Sequence, residues 1–199
     1  MTIVLHGTRL SGHAHRVELL LRMLGLSYRV EEASAPVRAS EAFRRLNPYG
    51  QIPVLEDGEV VLADSNAILV YLAKRYGAGD GWLPEDPVGA ARVQRWLSLA
   101  AGEIAYGPAK ARFLRRWVDP EAPVAQQAEI AARVFAFMDA QLAASSFLTG
   151  AKATIADLAC YSYTAHAPEG GIGLEPYPHV RAWLARVEAL PRFYPMAKE

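Results

Sequence analysis

Ser11-Gly12 and Asp64-Ser65 each stand immediately before a run of helical periodicity. A hydroxyl or carboxylate in that place has two uses. It caps the first-turn amides, the usual task of Ser and Asp there, or it joins those amides in holding an anion. Gly12 lets a ligand approach the backbone beside Ser11, so Ser11 reads as a helix cap or as a hydroxyl aimed at an anion. At Asp64-Ser65 one cap suffices, and the amides behind it leave a carboxylate site. Between the two pairs runs Asn47-Pro48-Tyr49-Gly50-Gln51-Ile52-Pro53. Pro53 forces Ile52 to be extended, and Ile52-Pro53 is a candidate cis bond. Extended backbone can pair with a peptide. Gln51 can bond a ligand amide or carboxylate, or simply be solvated. An open backbone beside a helix N-terminus suits a small peptide with an anionic end.

His13 and His15 point to different sides of a helix, and no third ligand is in view, so metal binding is not expected. His13 is either a polar contact to ligand or a solvated side chain. Farther on, Tyr106, Gly107, Pro108, Arg112, Phe113 and Trp117 gather aromatic and basic character at the end of a long helical stretch. They either wall an apolar substrate pocket facing the N-terminal part of the chain or pack as ordinary core. Tyr161, Tyr163 and His166 are further candidates of that kind. Cys160 reads as a small buried hydrophobe.

The elements that must position these residues follow from periodicity. Thr2–His6 is a short β-branched strand. Val17, Leu20, Leu21 and Leu24 share one helix face, and Gly25 ends that helix. Ser27–Glu31 is a second strand, forming a βαβ unit with the first. Ala39–Leu46 is a short helix. Val54-Leu55 and Val60-Val61-Leu62 flank Asp57-Gly58, a hairpin signal favouring a type I′ turn. Ile68, Leu69, Leu72 and Tyr76 mark another helix. The order β-α-β, α, β-β-α predicts a four-stranded mixed sheet with helices on both faces, an α/β thioredoxin-like domain over residues 1–76. Residues 77–87, rich in Gly and Pro, read as a linker. Beyond it, Val93, Trp96, Leu97, Ala100 and Ile104 form one helical stripe. Ile130, Val134, Phe137 and Met138 form a second, and Val180, Trp183, Leu184 and Val187 a third. They predict an all-α bundle over residues 88–199. Thr154-Ile155-Ala156-Asp157 resembles a capping box with Asp in place of the usual Glu or Gln.

Composition sets the outer bounds. The 199 residues are 52% apolar and 21% charged, with zero formal net charge, an ordinary globular balance. Without a basic stretch, nucleic acid and acidic membranes are not expected partners. The N-terminus lacks a signal-peptide core, and no run approaches the roughly 18 apolar residues of a membrane span. One cysteine cannot make an internal disulfide, which points to a reducing compartment. The expectation is a soluble, cytoplasmic protein.

Taken together and in this order, Asn47-Pro48-Tyr49-Gly50-Gln51-Ile52-Pro53-Val54-Leu55, Asp64-Ser65-Asn66-Ala67-Ile68 and Thr154-Ile155-Ala156-Asp157-Leu158 resemble the glutathione S-transferase family, over essentially the whole chain. The resemblance implies that Ile52, before Pro53, offers its backbone N–H and C=O to the cysteinyl part of glutathione. It implies that Asp64 and Ser65 bind the γ-glutamyl end, and that Gln51 contacts the glycyl or cysteinyl portion. Glutathione would be a co-substrate with no further cofactor, the second substrate a small hydrophobic electrophile, and the protein a homodimer. Tyr106, Arg112 and Phe113 are the candidates for the electrophile pocket. The family's activating residue is Tyr, Ser or Cys; residues 1–16 hold neither Tyr nor Cys. Ser11-Gly12-His13-Ala14-His15-Arg16-Val17 is similar to a bacterial Ser-Gly-Asn-x-x-Arg-Val pattern, with His13 at the Asn position. Ser11 and His13 are therefore the candidates for thiol activation. On the same scaffold, a non-catalytic glutathione-binding module and a glutathione-dependent isomerase or lyase are the alternatives.

Overall fold

The computed structural model describes residues 2–197. Its contacts gather into two units, one of Met1–Ala78 with Pro191–Glu199 and one of Gly79–Leu190.

In the first unit β1 (Ile3–Gly7), α1 (Gly12–Met23), β2 (Tyr28–Glu32), β3 (Val54–Asp57), β4 (Val60–Ala63) and a final helix, Ser65–Tyr76, follow the predicted order. The sheet runs β2-β1-β3-β4. β1 pairs parallel with β2 and antiparallel with β3, and β3 pairs antiparallel with β4, so the sheet is mixed as expected. Side chains alternate across it. On one face His6 meets Phe43 edge to face at 6.0 Å, and Phe43 packs with Ala33 and Val54. On the other, Leu5 and Leu55 are opposite one another and fully buried or nearly so. Val17, Leu20 and Leu21 of α1 and Ile68, Leu69 and Leu72 of the last helix are sealed completely, and the two helices pack together. Each such side chain contributes roughly 1.5–3 kcal/mol of burial.

Three details differ from the sequence expectation. A short helix, α2 (Ala35–Ala39), precedes α3 (Glu41–Leu46). α2 buries no residue and so leaves no periodic trace, whereas α3 starts where Ser40 Oγ accepts the Phe43 amide. The helix from Ser65 is therefore α4. The hairpin turn is Gly58-Glu59, between paired Asp57 and Val60. Gly58 has φ of +63°. Glu59 is not among the residues with positive φ, which fits a type II′ arrangement, not I′. Finally, the chain from Pro191 groups with the first unit and not with the helical one. The reason lies on α1. His15 Nε2 donates to the Tyr194 carbonyl at 2.8 Å, and the Arg22 guanidinium sits 3.9 Å from the centre of the Tyr194 ring.

Residues 77–86 contain no helix or strand. The second unit holds α5 (Pro87–Ala101), a π-helical turn at Ala105–Ala109, α6 (Lys110–Trp117), α7 (Ala125–Ala143), α8 (Ile155–Ala165), a 3₁₀ turn at Ala167–Gly170 and α9 (Pro178–Glu188). Pro108 lies inside the π turn; it has no N–H to give, so the helical ladder is interrupted there. α8 is buried along its length from Ile155 to Thr164, Cys160 included. The stripes Val93/Trp96/Leu97/Ala100/Ile104 and Val180/Trp183/Leu184/Val187 are buried throughout. In α7, Val134 and Met138 are buried, and Phe135, outside the expected stripe, is buried with them.

The capping box is present. Thr154 caps α8, and Asp157 returns a bond to the Thr154 amide. Asp157 also accepts from the Leu148 amide and from Trp183 Nε1, both at 2.9 Å.

Candidate active site

The sheet register decides what comes together. His6 lies opposite Val54, and Val54 opposite Ala63. The C-terminal end of β1, the start of β3 and the end of β4 therefore share one end of the sheet. Ser11-Gly12 follows the first, Gln51-Ile52-Pro53 precedes the second, and Asp64-Ser65 follows the third. Segments separated by up to some fifty residues in the chain converge by pairing alone.

A turn carries the chain from β1 into α1, closed by the Ser11 amide donating to Thr8 O at 3.1 Å. A Cβ at Gly7 would meet that of Ala14 at 2.7 Å, so only glycine lets the first turn of α1 sit this close to the end of β1. Ser11 is the N-cap; its Oγ accepts from the Ala14 amide at 3.2 Å. That bond uses a lone pair and leaves the hydroxyl proton to be donated. Cap and anion donor are thus compatible roles for one side chain.

Ile52-Pro53 is a cis peptide bond. The side chain of Ile52 packs against the Ala33, Phe43 and Val54 cluster. Its backbone precedes Val54, the first residue of β3 with a ladder partner. Anchored side chain and unladdered backbone together make a short pairing edge. Asn47 braces this turn, donating from Nδ2 to Gln51 O at 2.8 Å. The Gln51 side chain is exposed.

Asp64 caps α4. Its Oδ1 accepts from the Asn66 and Ala67 amides, each at 2.9 Å. The amides expected to remain open for a carboxylate are thereby partly taken, and Oδ2 has no share in the capping. Asp64 itself is exposed, with φ of +72°, a conformation that costs a non-glycine residue on the order of 1–3 kcal/mol and that clusters at ligand sites.

Ser65 is buried, and two groups of α1 face it. Arg16 Nη1 donates to Ser65 Oγ at 3.4 Å and to Asn66 Oδ1 at 3.0 Å. His13 Nδ1 lies 3.4 Å from the same Ser65 oxygen. Burial first, and the Arg16 charge second, hold the His13 imidazole down to a pKa of about 3, so it is neutral at any physiological pH. His13 is thus placed on the Ser65 hydroxyl. Arg16 and Asn66 are site neighbours that periodicity did not reveal. The only sequence signal at Arg16 was its place in the Arg-Val step of the bacterial pattern.

Residues of the helical unit divide differently. Tyr106, Phe113 and Trp117 are 67%, 47% and 48% exposed, but Arg112 is only 2% exposed. Arg112 Nε donates to Glu169 Oε2 at 2.6 Å, Arg116 donates to the same oxygen at 3.1 Å, and His166 Nδ1 is 2.5 Å from Oε1. Arg112 is therefore a core ion-pair residue and not an accessible pocket wall, because the 3₁₀ turn after α8 presents Glu169 to it. Tyr106 borders an open groove of about 430 Å³ shared with Glu103, Lys110, Ile130 and Arg133, in which charged side chains stand beside a lining that is still mostly apolar. Tyr161 and Tyr163 are buried, and the Tyr161 hydroxyl donates to Glu188 at 2.8 Å. Among the described residues no group of His, Cys, Asp and Glu could hold a metal ion, and no helix is long and apolar enough to cross a membrane.

Comparison with known proteins points to one family for both units. The glutathione S-transferase N-terminal domain model fits residues 5–81, and the C-terminal domain model residues 99–191. Mouse glutathione S-transferase theta-3 is 33% identical over 159 residues, 75% of this chain and 66% of the mouse protein. The chain thus spans just under two thirds of that relative. A glutathione S-transferase from Pseudomonas fluorescens superposes with a TM-score of 0.92 at 32% identity, over 100% of both chains. A glutathione transferase homologue from Drosophila mojavensis, solved with bound glutathione, superposes at 0.84 with 28% identity, covering 96% of this chain and 89% of its own. A thioredoxin-like sheet with Ser11, Ile52-Pro53 and Asp64-Ser65 at one end, followed by a helical unit that fits the C-terminal model, makes this chain a member of the glutathione S-transferase family.

Proposed function

We propose that this chain is a glutathione transferase that adds the glutathione thiolate to the electrophilic carbon of a small hydrophobic substrate. A C–S bond forms, and the leaving group departs with the electron pair of the bond it breaks. The carrying observation is the convergence of Ser11, Ile52 and Asp64-Ser65 on one end of the sheet. In this reading the Ile52 backbone pairs with the cysteinyl residue beside Pro53, and Gln51 contacts the adjoining portion. Ser65 receives the γ-glutamyl carboxylate, and Asp64 Oδ2 the γ-glutamyl ammonium. Ser11 donates its remaining proton to the sulfur. His13, neutral and facing Ser65, acts on the peptide end.

Magnitudes support a serine in this role. A free thiol has a pKa of about 8.5. Lowering it to ~6.5 needs roughly 2.7 kcal/mol, at about 1.36 per unit. A hydrogen bond to a charged group contributes about 1.5–3 kcal/mol, and the N-terminus of α1 adds about 0.3–1. Thiolate population then rises by about 20-fold, and lower basicity returns part of that gain. Holding sulfur and electrophile together supplies the remainder.

Exposed Tyr106 and Phe113 are the proposed contacts for the electrophile; Arg112 is left out because it is buried. The relatives named above are transferases, which favours turnover over a non-catalytic module. A homodimer, a cytoplasmic setting and a detoxifying role complete the proposal, the compartment supported by the lone buried Cys160. Titration calorimetry with glutathione, paired with turnover of a generic aryl halide, tests it. Binding with turnover supports the proposal. Binding without turnover of several electrophile classes would leave only a binding module, and no binding at millimolar glutathione would overturn both.

A further inference from the structure

We propose that Arg16 is a positioning residue for the anionic end of glutathione, acting through Ser65. The proposal rests on the glutathione-binding reading above. Arg16 is fully buried, and a buried guanidinium must have its charge answered by its neighbours. Its Nη1 reaches across from α1 to the first two residues of α4, Ser65 and Asn66. Five residues along the same helix from Ser11, it ties the element that carries the sulfur-facing hydroxyl to the element that carries the carboxylate-facing one.

The tie has a direction. A guanidinium only donates, and it occupies a lone pair of Ser65 Oγ. The Ser65 proton must then be donated elsewhere, and the groups available are His13 Nδ1, 3.4 Å away, and a ligand carboxylate. Both existing contacts to Ser65 lie at the long end of the hydrogen-bond range, so the hydroxyl can turn toward a stronger acceptor. A carboxylate is that acceptor. It would also feel the fixed positive charge one hydrogen bond behind Ser65, in a region where burial weakens screening. Arg16 thus makes Ser65 a one-way donor and biases the start of α4 toward a negative ligand.

The test compares glutathione with 4-aminobutyryl-cysteinylglycine, which lacks only the γ-glutamyl α-carboxylate. The wild type should prefer glutathione. Arg16→Met should weaken glutathione at least tenfold while the affinity for the analogue stays within twofold. In turnover, KM for glutathione should rise about tenfold while kcat falls less than threefold. Arg16→Lys, which keeps the charge but not the fork, should recover part of the loss. Equal weakening of both ligands, or unchanged glutathione affinity, would overturn the proposal. If Arg16→Met does not fold, a cycle of Arg16→Lys with Ser65→Ala decides: the two losses should overlap, and full additivity would overturn the coupling. A wild type that binds both ligands equally would instead refute the assigned orientation of glutathione.

Discussion

Ser11 Oγ accepts the Ala14 amide hydrogen at 3.2 Å, and the same oxygen carries the proton that a thiolate would need. Two substitutions separate these roles. Ser11→Ala removes both. It should cost about 1 kcal/mol of stability, a melting shift of roughly 2–4 °C. It should also raise the pKa of bound glutathione by about 1–2 units, the worth of one charge-assisted bond. Ser11→Asp keeps a capping oxygen but cannot donate when ionised, so melting should hold while the thiol pKa rises at least as far. Ultraviolet titration of bound thiolate beside a thermal scan reads both. A wild-type thiol pKa in Ser11→Ala would remove Ser11 from sulfur activation.

Asp64 presents a similar pair of uses. Its Oδ1 holds the Asn66 and Ala67 amides at 2.9 Å each. Asp64→Asn preserves a capping oxygen, and Asn tolerates positive φ better than most residues. Stability should then stay within about 0.5 kcal/mol, while glutathione affinity falls roughly tenfold as the charge on the ligand contact is lost. Asp64→Ala should lose affinity and also melt lower, because Ala supplies no cap and strains at φ of +72°. Calorimetry and melting on the same samples check this. An Asn variant that keeps both wild-type melting and wild-type glutathione affinity would make Asp64 a cap whose charge is irrelevant.

The contrast between these residues and Arg16 shows what a single sequence can carry. Ile52-Pro53, Asp64 and Thr154-Asp157 were legible because backbone chemistry fixes their local role: proline, helix start, capping box. The strands, of which β2 and β4 hold no fully buried residue, were legible as short apolar or β-branched runs bounded by turn residues. α1, α4, α5 and α9 were legible because burial imposes a period. α2 left none, since it buries nothing. The type II′ turn at Gly58-Glu59 was misread because a strand register one residue off moves the turn with it. Arg112 looked like a pocket wall because its partner, Glu169, lies 57 residues away, and no local pattern announces a long-range ion pair. Arg16 and its contacts to Ser65 and Asn66 were hidden for the same reason.

His13 gives a pH prediction with a definite sign. Its folded pKa is lowered to about 3 from an ordinary 6.5, by burial and then by Arg16. The unfolded chain therefore takes up a proton at His13 near pH 6.5 while the folded one does not. Stability from this group is complete above pH 6.5 and is lost as pH falls toward 3, by at most about 1.4 kcal/mol per unit. His13→Asn should remove that term. Between pH 7 and pH 5 the wild type should lose up to about 2 kcal/mol more than the variant, read as urea midpoints at each pH. Parallel losses in both proteins would show that His13 charges freely in the fold.

The ion pair in the helical unit yields the sharpest asymmetry. Arg112 is 2% exposed and Glu169 25% exposed on their side chains. Removing the carboxylate takes the 2.6 Å acceptor from a sealed guanidinium and also takes one contact each from Arg116 and His166. Removing Arg112 leaves Glu169 with those two partners and some water. Breaking a buried pair from one side costs about 3–5 kcal/mol. Glu169→Met should sit in that range and Arg112→Met well below it, in denaturant unfolding of the whole chain. Because Arg112 is sealed, Arg112→Met should also leave KM for an aryl halide within about twofold, whereas Tyr106→Ala, at an exposed aromatic, should raise it. A large KM change in Arg112→Met at unchanged stability would return Arg112 to the substrate pocket and displace the ion pair as its principal role.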